Sequence, residues 1–253
     1  MILLMGGTGE SAMIAEAIAD AGCPVLLSMA TDIPLSLPSR RGIESRHGRL
    51  NLEQLIALIR QREITALVDA AHPFATEAHK TALQAAQDTD IPYLHWLRDE
   101  SNLSGFSNLH LTADHPSAAR MAAALQRPIL LTIGSRNVSP YVDAARAANL
   151  PIYARVLPCR ESEDAWRLAG LQEDEVIAAR GPFTLEDTLV LLGALKIGTL
   201  VTKESGRSGG VPEKLGAATR AQCHVVIVQR TAFDERYLCR TIDELIHKLI
   251  TYC

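Results

Sequence analysis

The residues best suited to chemistry stand in short polar segments, each following an apolar run. The first, Gly6-Gly7-Thr8-Gly9-Glu10-Ser11, follows Ile2-Leu3-Leu4-Met5 and precedes an Ala- and Ile-rich stretch. Gly7, Gly9 and Ala12 match the G-x-G-x-x-G/A spacing of dinucleotide-binding turns. Bare main chain lets a diphosphate come close, and the helix starting there offers N–H groups and partial positive charge to it. The plainer reading is a strand-to-helix turn that binds nothing. A second segment, Ser28-Met29-Ala30-Thr31-Asp32, closes the next apolar run. An acidic residue at that strand tip would take the ribose 2′-OH of NAD. Asp32 lies beyond the tip, and Ser28, Thr31, Arg40 and Arg41 better suit the 2′-phosphate of NADP. Here the plain alternative is a solvated loop.

Further segments repeat the pattern. Asp69-Ala70-Ala71-His72-Pro73-Phe74 follows an apolar strand. Pro73 biases His72 towards extended backbone, which turns His72 and Phe74 towards a ligand. A histidine there can donate a proton or bind a carboxylate near neutral pH, or simply cap the strand end. Gly134-Ser135-Arg136 offers donors to an anion, and Ser139-Pro140 reads as an N-cap with proline at the first helical position. Arg180, before Gly181-Pro182-Phe183, suits a bidentate carboxylate contact. Thr184 with Asp187 forms a weak capping box. The densest polar loop, 202–214, carries Lys203, Ser205, Gly206, Arg207 and Lys214 with three glycines. Its spacing is not that of a Walker motif, so it predicts an anion-binding loop without implying ATP. Lys203 beside Glu204 reads alternatively as a surface ion pair.

Bulk properties narrow the classes. The chain has 253 residues, a net charge of −4 and 47% hydrophobic residues. That balance argues against a general nucleic-acid or anionic-membrane role. The five cysteines are scattered and form no C-x-x-C pair, so neither a zinc site nor a disulfide framework is expected, and the setting reads as reduced and cytoplasmic. The histidines show no metal-ligand spacing, so no metal is expected. No run approaches a membrane span or a secretory signal.

These segments need elements to hold them. Strands are predicted at 2–5, 25–29, 44–47, 66–69 and 93–95, then 129–133, 152–155, 176–179, 199–202 and 225–228, most of them short apolar runs. Helices are predicted at 11–21, 52–62, 75–89, 116–125, 140–148, 163–169, 185–195, 212–219 and 243–251. The alternation predicts an α/β fold of two Rossmann-like parallel-sheet domains with a cleft between them. The irregular stretch 98–114 sets the expected boundary, giving domains at 1–105 and 106–253. In open parallel sheets ligands sit beyond the carboxyl ends of strands, where all these polar segments fall.

Five segments together resemble the precorrin-6A (precorrin-6X) reductase family, including the cobalt-precorrin-6A reductases. They are Leu4-Met5-Gly6-Gly7-Thr8-Gly9-Glu10, Asp69-Ala70-Ala71-His72-Pro73-Phe74-Ala75, Leu131-Thr132-Ile133-Gly134-Ser135-Arg136, Ala179-Arg180-Gly181-Pro182-Phe183 and Val201-Thr202-Lys203-Glu204-Ser205-Gly206. The resemblance implies NADPH-dependent reduction of a large tetrapyrrole bearing many carboxylates, in cobalamin biosynthesis, with possible handover to neighbouring pathway enzymes. It implies a cofactor site of Gly6, Gly7, Thr8, Gly9, Glu10, Ser28, Thr31, Arg40, His72, Pro73 and Phe74. Substrate would meet Ser135, Arg136, Arg180, Lys203, Ser205 and Gly206, with Lys203 also stabilising developing charge as the catalytic candidate. Two other classes compete: an S-adenosylmethionine-dependent methyltransferase, which also uses a glycine-rich first turn, and a non-catalytic dinucleotide-sensing protein.

Overall fold

The structure is a computed structural model, and it describes residues 1–7, 9–30 and 42–253. Thr8, Thr31 and Arg40, three of the predicted cofactor residues, lie outside the described residues, as do Asp32 and Arg41. The chain forms two compact units, Met1–Asp99 with Ala232–Cys253, and Glu100–Thr231.

The first unit begins β1 (Ile2–Gly6), α1 (Ser11–Asp20), β2 (Val25–Met29), β3 (Ile43–His47), α2 (Leu52–Gln61), β4 (Ala66–Asp69), α3 (Thr76–Asp88) and β5 (Tyr93–Trp96). The second contains β6 (Leu109–Thr112), α4 (His115–Ala124), β7 (Ile129–Leu131), α5 (Ser139–Ala147), β8 (Ile152–Val156), α6 (Arg160–Leu168), β9 (Val176–Ala178), α7 (Leu185–Ala194), β10 (Thr199–Lys203), α8 (Val211–Arg220) and β11 (His224–Val228). The chain then returns to the first unit with β12 (Leu238–Cys239) and α9 (Ile242–Leu249).

Each unit is built on one six-stranded sheet, ordered β12-β5-β4-β1-β2-β3 in the first and β6-β11-β10-β7-β8-β9 in the second. All the strand pairs are parallel. Parallel sheets must be covered on both faces, and strand alternation does this here. Ile2, Leu4, Val25, Leu27 and Val68 pack with Ile14 and Ile18 of α1 and Leu245 and Leu249 of α9. The alternate residues Leu3, Leu26 and Leu67 pack on the other face with Leu55 and Ile59 of α2 and Ala82 and Ala85 of α3. Fully burying each such aliphatic side chain contributes roughly 1.5–3 kcal/mol. None of the described helices is long and apolar enough to cross a membrane.

Three expectations need correction. The division at 1–105 and 106–253 gives way to a boundary near residue 100, with residues 232–253 in the first unit, because β12 pairs with β5 and α9 covers the first sheet. The irregular stretch 98–114 contains β6, which pairs with β11. Cys23 and Cys253, expected to be unpaired, are joined as a disulfide with a Cα–Cα distance of 4.9 Å.

Candidate active-site loops

In each sheet the strand order reverses direction at one point, and open α/β sheets bind ligands there. In the first unit that point lies between β1 and β4, which are hydrogen-bonded neighbours although two strands separate them in sequence. The turn Gly6–Glu10 leaves β1 and the His72-Pro73-Phe74 segment leaves β4, so both flank it. In the second unit the point lies between β7 and β10. The Ser135-Arg136 turn leaves β7 and the Lys203–Gly206 loop leaves β10.

The glycine turn is open where a diphosphate would approach. A Cβ placed on Gly7 or Gly9 would meet no atom of the described residues within 4 Å. Gly7 has φ +108°, a backbone conformation that favours glycine, and its N–H donates to Ser11 Oγ at 3.0 Å. Gly6 is the packed glycine: a Cβ there would lie 2.6 Å from Ser11 Oγ and from Leu27 Cδ1. The close strand–helix approach therefore falls at Gly6 and Ser11 rather than at Ala12. Glu10, the N-cap residue of α1, makes no side-chain cap hydrogen bond. Glu10, a carboxylate beside this turn, is held by Arg98, whose Nε donates to Oε2 at 2.8 Å from a buried position. The pairing offsets a charge that would otherwise repel an anion.

At the tip of β2, Ser28 Oγ accepts from Arg46 Nη1 at 2.8 Å. Beyond β4, His72 Nδ1 accepts from Phe74 N–H at 3.2 Å, so His72 does shape the strand-end turn; its ring lies 6.0 Å from that of Phe74. Beneath this turn is a buried polar cluster. Asp69 Oδ2 accepts from His79 Nδ1 at 2.7 Å and from the Tyr93 hydroxyl at 2.8 Å, while Oδ1 accepts from Ala71 N–H at 3.1 Å. His79 Nε2 donates to the His72 carbonyl at 3.1 Å. Both ring nitrogens of His79 thus face atoms that only accept, which requires the doubly protonated imidazolium. Burial alone would disfavour that charge, but the Asp69 carboxylate outweighs it and holds the His79 pKa above 6.5. Burial would likewise raise Asp69, and the hydrogen bonds of His79 and His95 reverse this and depress it. Burial, then the Asp69 charge, pushes the Tyr93 hydroxyl up. His95 stacks on Phe233 with centroids 3.9 Å apart. One ligand-type atom each from Asp69, His79 and His95 lies within 4.8 Å of the others, a spacing a cation could use. The 2.7 Å contact and the Tyr93 bond instead commit Asp69 Oδ2 to hydrogen bonding.

In the second unit, cations gather. Lys203, at the end of β10, has its pKa pushed down to about 8 by burial and then by the charge of Arg136. Lys214 is also pushed down to about 8 by burial, then by Arg155 and Lys203; its Nζ donates to the Gly209 carbonyl at 2.8 Å. Arg155 is buried, with its guanidinium 3.8 Å over the Phe183 ring, and burial lowers its pKa to about 10. His115 is lowered to about 4, by burial and then by Lys203. Burial is the largest cause in each case and neighbouring cations add to it at Lys203, Lys214 and His115, while Glu213, Asp187 and Asp114 act in the opposite sense on Lys214, Arg155 and His115. Arg136 and Arg180 are exposed.

The loop after β10 departs from its sequence reading. Glu204 is not in a surface pair with Lys203: it is buried and bridged to Arg230, Nε to Oε2, at 2.5 Å. Its Oε1 accepts from Ser101 N–H at 2.9 Å and Gly206 N–H at 3.3 Å. Ser205 is buried, and a Cβ on Gly209 would overlap its Oγ. Ser205 and Gly206 thereby contribute to the loop's own shape, leaving Lys203 at its entrance. Ser135 Oγ lies 3.2 Å from Ser162 Oγ. Ser139 is not the N-cap of α5, since that position is Val138 and has no side-chain cap. The Thr184–Asp187 capping box is present in full.

Sequence alone does not single out Asp69, His79, Arg46 and Arg155 as site residues, and names Lys214 only as part of the anion-binding loop. Asp69 gave the clearest available signal, an acid ending a strand that is otherwise Ala, Leu and Val. His79 lies ten residues away on α3, a pairing that only the fold reveals.

Comparisons with known proteins agree with this architecture. The family model described as "Precorrin-6x reductase CbiJ/CobK" matches residues 1–249. The "Cobalt-precorrin-6A reductase" of Priestia megaterium is 31% identical over 251 residues, covering 99% of this chain and 98% of that protein. The "Precorrin-6A reductase" of Rhodococcus erythropolis is 32% identical over 231 residues, covering 90% and 88%. A solved structure titled "CobK precorrin-6A reductase" superposes with a TM-score of 0.77 at 25% identity, covering 99% of this chain and 96% of that one. With its model matched almost end to end, the chain belongs to the precorrin-6x reductase CbiJ/CobK family.

Proposed function

We propose that this protein reduces precorrin-6A, or its cobalt-containing form, in cobalamin biosynthesis, with NADPH as the reductant. The carrying observation is the pair of strand-reversal points, one faced by bare glycine main chain and the other by cations. The residues present fit the coenzyme, because no described atom lies within 4 Å of a Cβ on Gly7 or Gly9, at the start of a helix whose N-cap Glu10 makes no side-chain cap bond. When bound, NADPH supplies a hydride to a ring carbon, and a proton completes the reduction at the neighbouring atom.

The chain supplies binding, orientation and electrostatics. In this reading Gly6, Gly7, Thr8 and Gly9 hold the diphosphate, and Arg98 keeps Glu10 compensated beside it. Ser28, Thr31 and Arg40 meet the adenosine end. His72, Pro73 and Phe74 border the nicotinamide, on a turn fixed from below by His79. Ser135, Arg136, Arg180 and Lys203 face the macrocycle, the buried Ser205 and Gly206 shape the loop that presents Lys203, and Arg155 and Lys214 add to the positive field that its carboxylates would enter. Lys203 stabilises negative charge as it develops on the ring.

The test is an assay with NADPH and either metal-free or cobalt-loaded precorrin-6A, following coenzyme absorbance and macrocycle spectrum together. One NADPH consumed per macrocycle reduced is expected. Macrocycle binding with no coenzyme consumption under either condition would contradict the reading.

A further inference from the structure

Arg46 lies near the carboxyl end of β3, in register with Ser28 of β2, which is itself in register with Met5 of β1. It therefore stands two strands from the glycine turn, at the level where that turn begins. Three hydrogen bonds fix its guanidinium: Nη1 to Ser28 Oγ at 2.8 Å, Nη1 to the Gly48 carbonyl at 2.9 Å, and Nη2 to the His47 carbonyl at 2.8 Å. All three acceptors are neutral. Among the described residues Arg46 has no carboxylate within ion-pair distance. It is half-buried, and burial lowers its pKa.

A guanidinium has five N–H donors. Three are spent here on holding the group still, which leaves Nε–H and one Nη2–H. The Nε and Nη2 nitrogens of a guanidinium share one edge of the planar fork, an edge that can match two oxygens of a phosphate. Ser28 completes the environment: its Oγ accepts from Arg46, so its own hydrogen is left to donate. A coenzyme with a ribose 2′-hydroxyl would call for an acidic acceptor at the β2 tip, whereas a 2′-phosphate calls for a fixed cation. The chain provides the cation.

We infer that Arg46, oriented by Ser28 and the turn at Gly48, binds the adenosine 2′-phosphate and selects NADPH over NADH. The inference rests on the nicotinamide-coenzyme reading above, and the following experiment separates the two. Calorimetric titration of the wild-type protein and of Arg46→Met and Arg46→Lys would use NADPH, NADH, adenosine 2′,5′-bisphosphate and ADP. Wild type is expected to prefer NADPH, and adenosine 2′,5′-bisphosphate over ADP. Arg46→Met should weaken both 2′-phosphorylated ligands about ten- to a hundredfold and leave NADH and ADP within about twofold, the size expected for charge-assisted hydrogen bonds. Arg46→Lys should fall between, retaining charge without the fork. Equal weakening of phosphorylated and unphosphorylated ligands by both variants would overturn the assignment, as would unchanged NADPH affinity in Arg46→Met. Wild-type protein that binds both dinucleotides with equal affinity overturns the selectivity alone. Wild-type protein that binds neither overturns the coenzyme reading together with it.

Discussion

His79 carries two protons because both its ring nitrogens meet acceptors, Asp69 Oδ2 and the His72 carbonyl. Its folded pKa is raised above the ordinary 6.5, so its contribution to stability is complete below that value and is lost as pH rises through the folded pKa. Asp69 is depressed, so its contribution is present above its ordinary 3.8 and is lost as pH falls through the folded value. Urea melts of wild type should therefore show stability declining as pH rises beyond 6.5. His79→Gln should flatten that limb, and an unchanged limb would assign it to another group. Lys203, with a pKa of about 8, predicts a second effect: turnover should fall as pH rises through about 8. Lys203→Met should lower kcat/KM for the macrocycle at least about tenfold and change NADPH affinity less than about twofold. If the alkaline limb survives in that variant, Lys214, also near 8, is the group that titrates. Gly9 offers the cleaner probe of the diphosphate turn. Gly7→Val would also strain a φ of +108°, whereas a Cβ on Gly9 meets no described atom within 4 Å. Gly9→Val should leave the thermal melt unchanged and weaken NADPH at least about tenfold; unchanged affinity would move the coenzyme away from this turn.

The loops depend on elements that fix them. The loop after β10 is anchored by Glu204, whose carboxylate is buried with Arg230. Removing one partner of such a pair leaves the other charge buried, so Arg230→Met should cost about 3–5 kcal/mol in denaturant unfolding. The double variant Arg230→Met, Glu204→Gln should recover part of that loss; a single variant as stable as wild type would show the pair to be dispensable. Nearly every long element was legible in sequence because its period and length were unambiguous. Ile2 to Met5 and Val25 to Met29 are apolar throughout, as a doubly covered parallel strand requires. β6 reads Leu-His-Leu-Thr in an irregular stretch, and β12 has two residues, too few for any pattern. The partner of Glu204 is hidden from sequence because local spacing offers Lys203 for an ion pair, while the actual partner stands 26 residues later.

At the level of the whole chain, the two sheets were foreseeable from the strand–helix rhythm, but the route between them was not. Residues 232–253 return to the first unit, where Cys239, Leu245 and Leu249 complete a core begun by Ile2 and Leu4. Nothing local in that segment names its destination, since an amphipathic helix fits either sheet. The Cys23–Cys253 link escaped for the same reason, joining positions 230 residues apart. The candidate site was legible where a motif sits at a strand end, as at Gly7 and Lys203, and hidden where it depends on neighbours across the sheet, as at Asp69 and Arg46. The proposed function has a hydride pass from NADPH to the tetrapyrrole. The direct measurement uses NADPH deuterated, on each face in turn, at the nicotinamide carbon that carries the hydride, with mass spectrometry of the reduced macrocycle. One of the two labelled coenzymes should deliver a single deuterium to the macrocycle. Reduced macrocycle without deuterium from either would contradict the account.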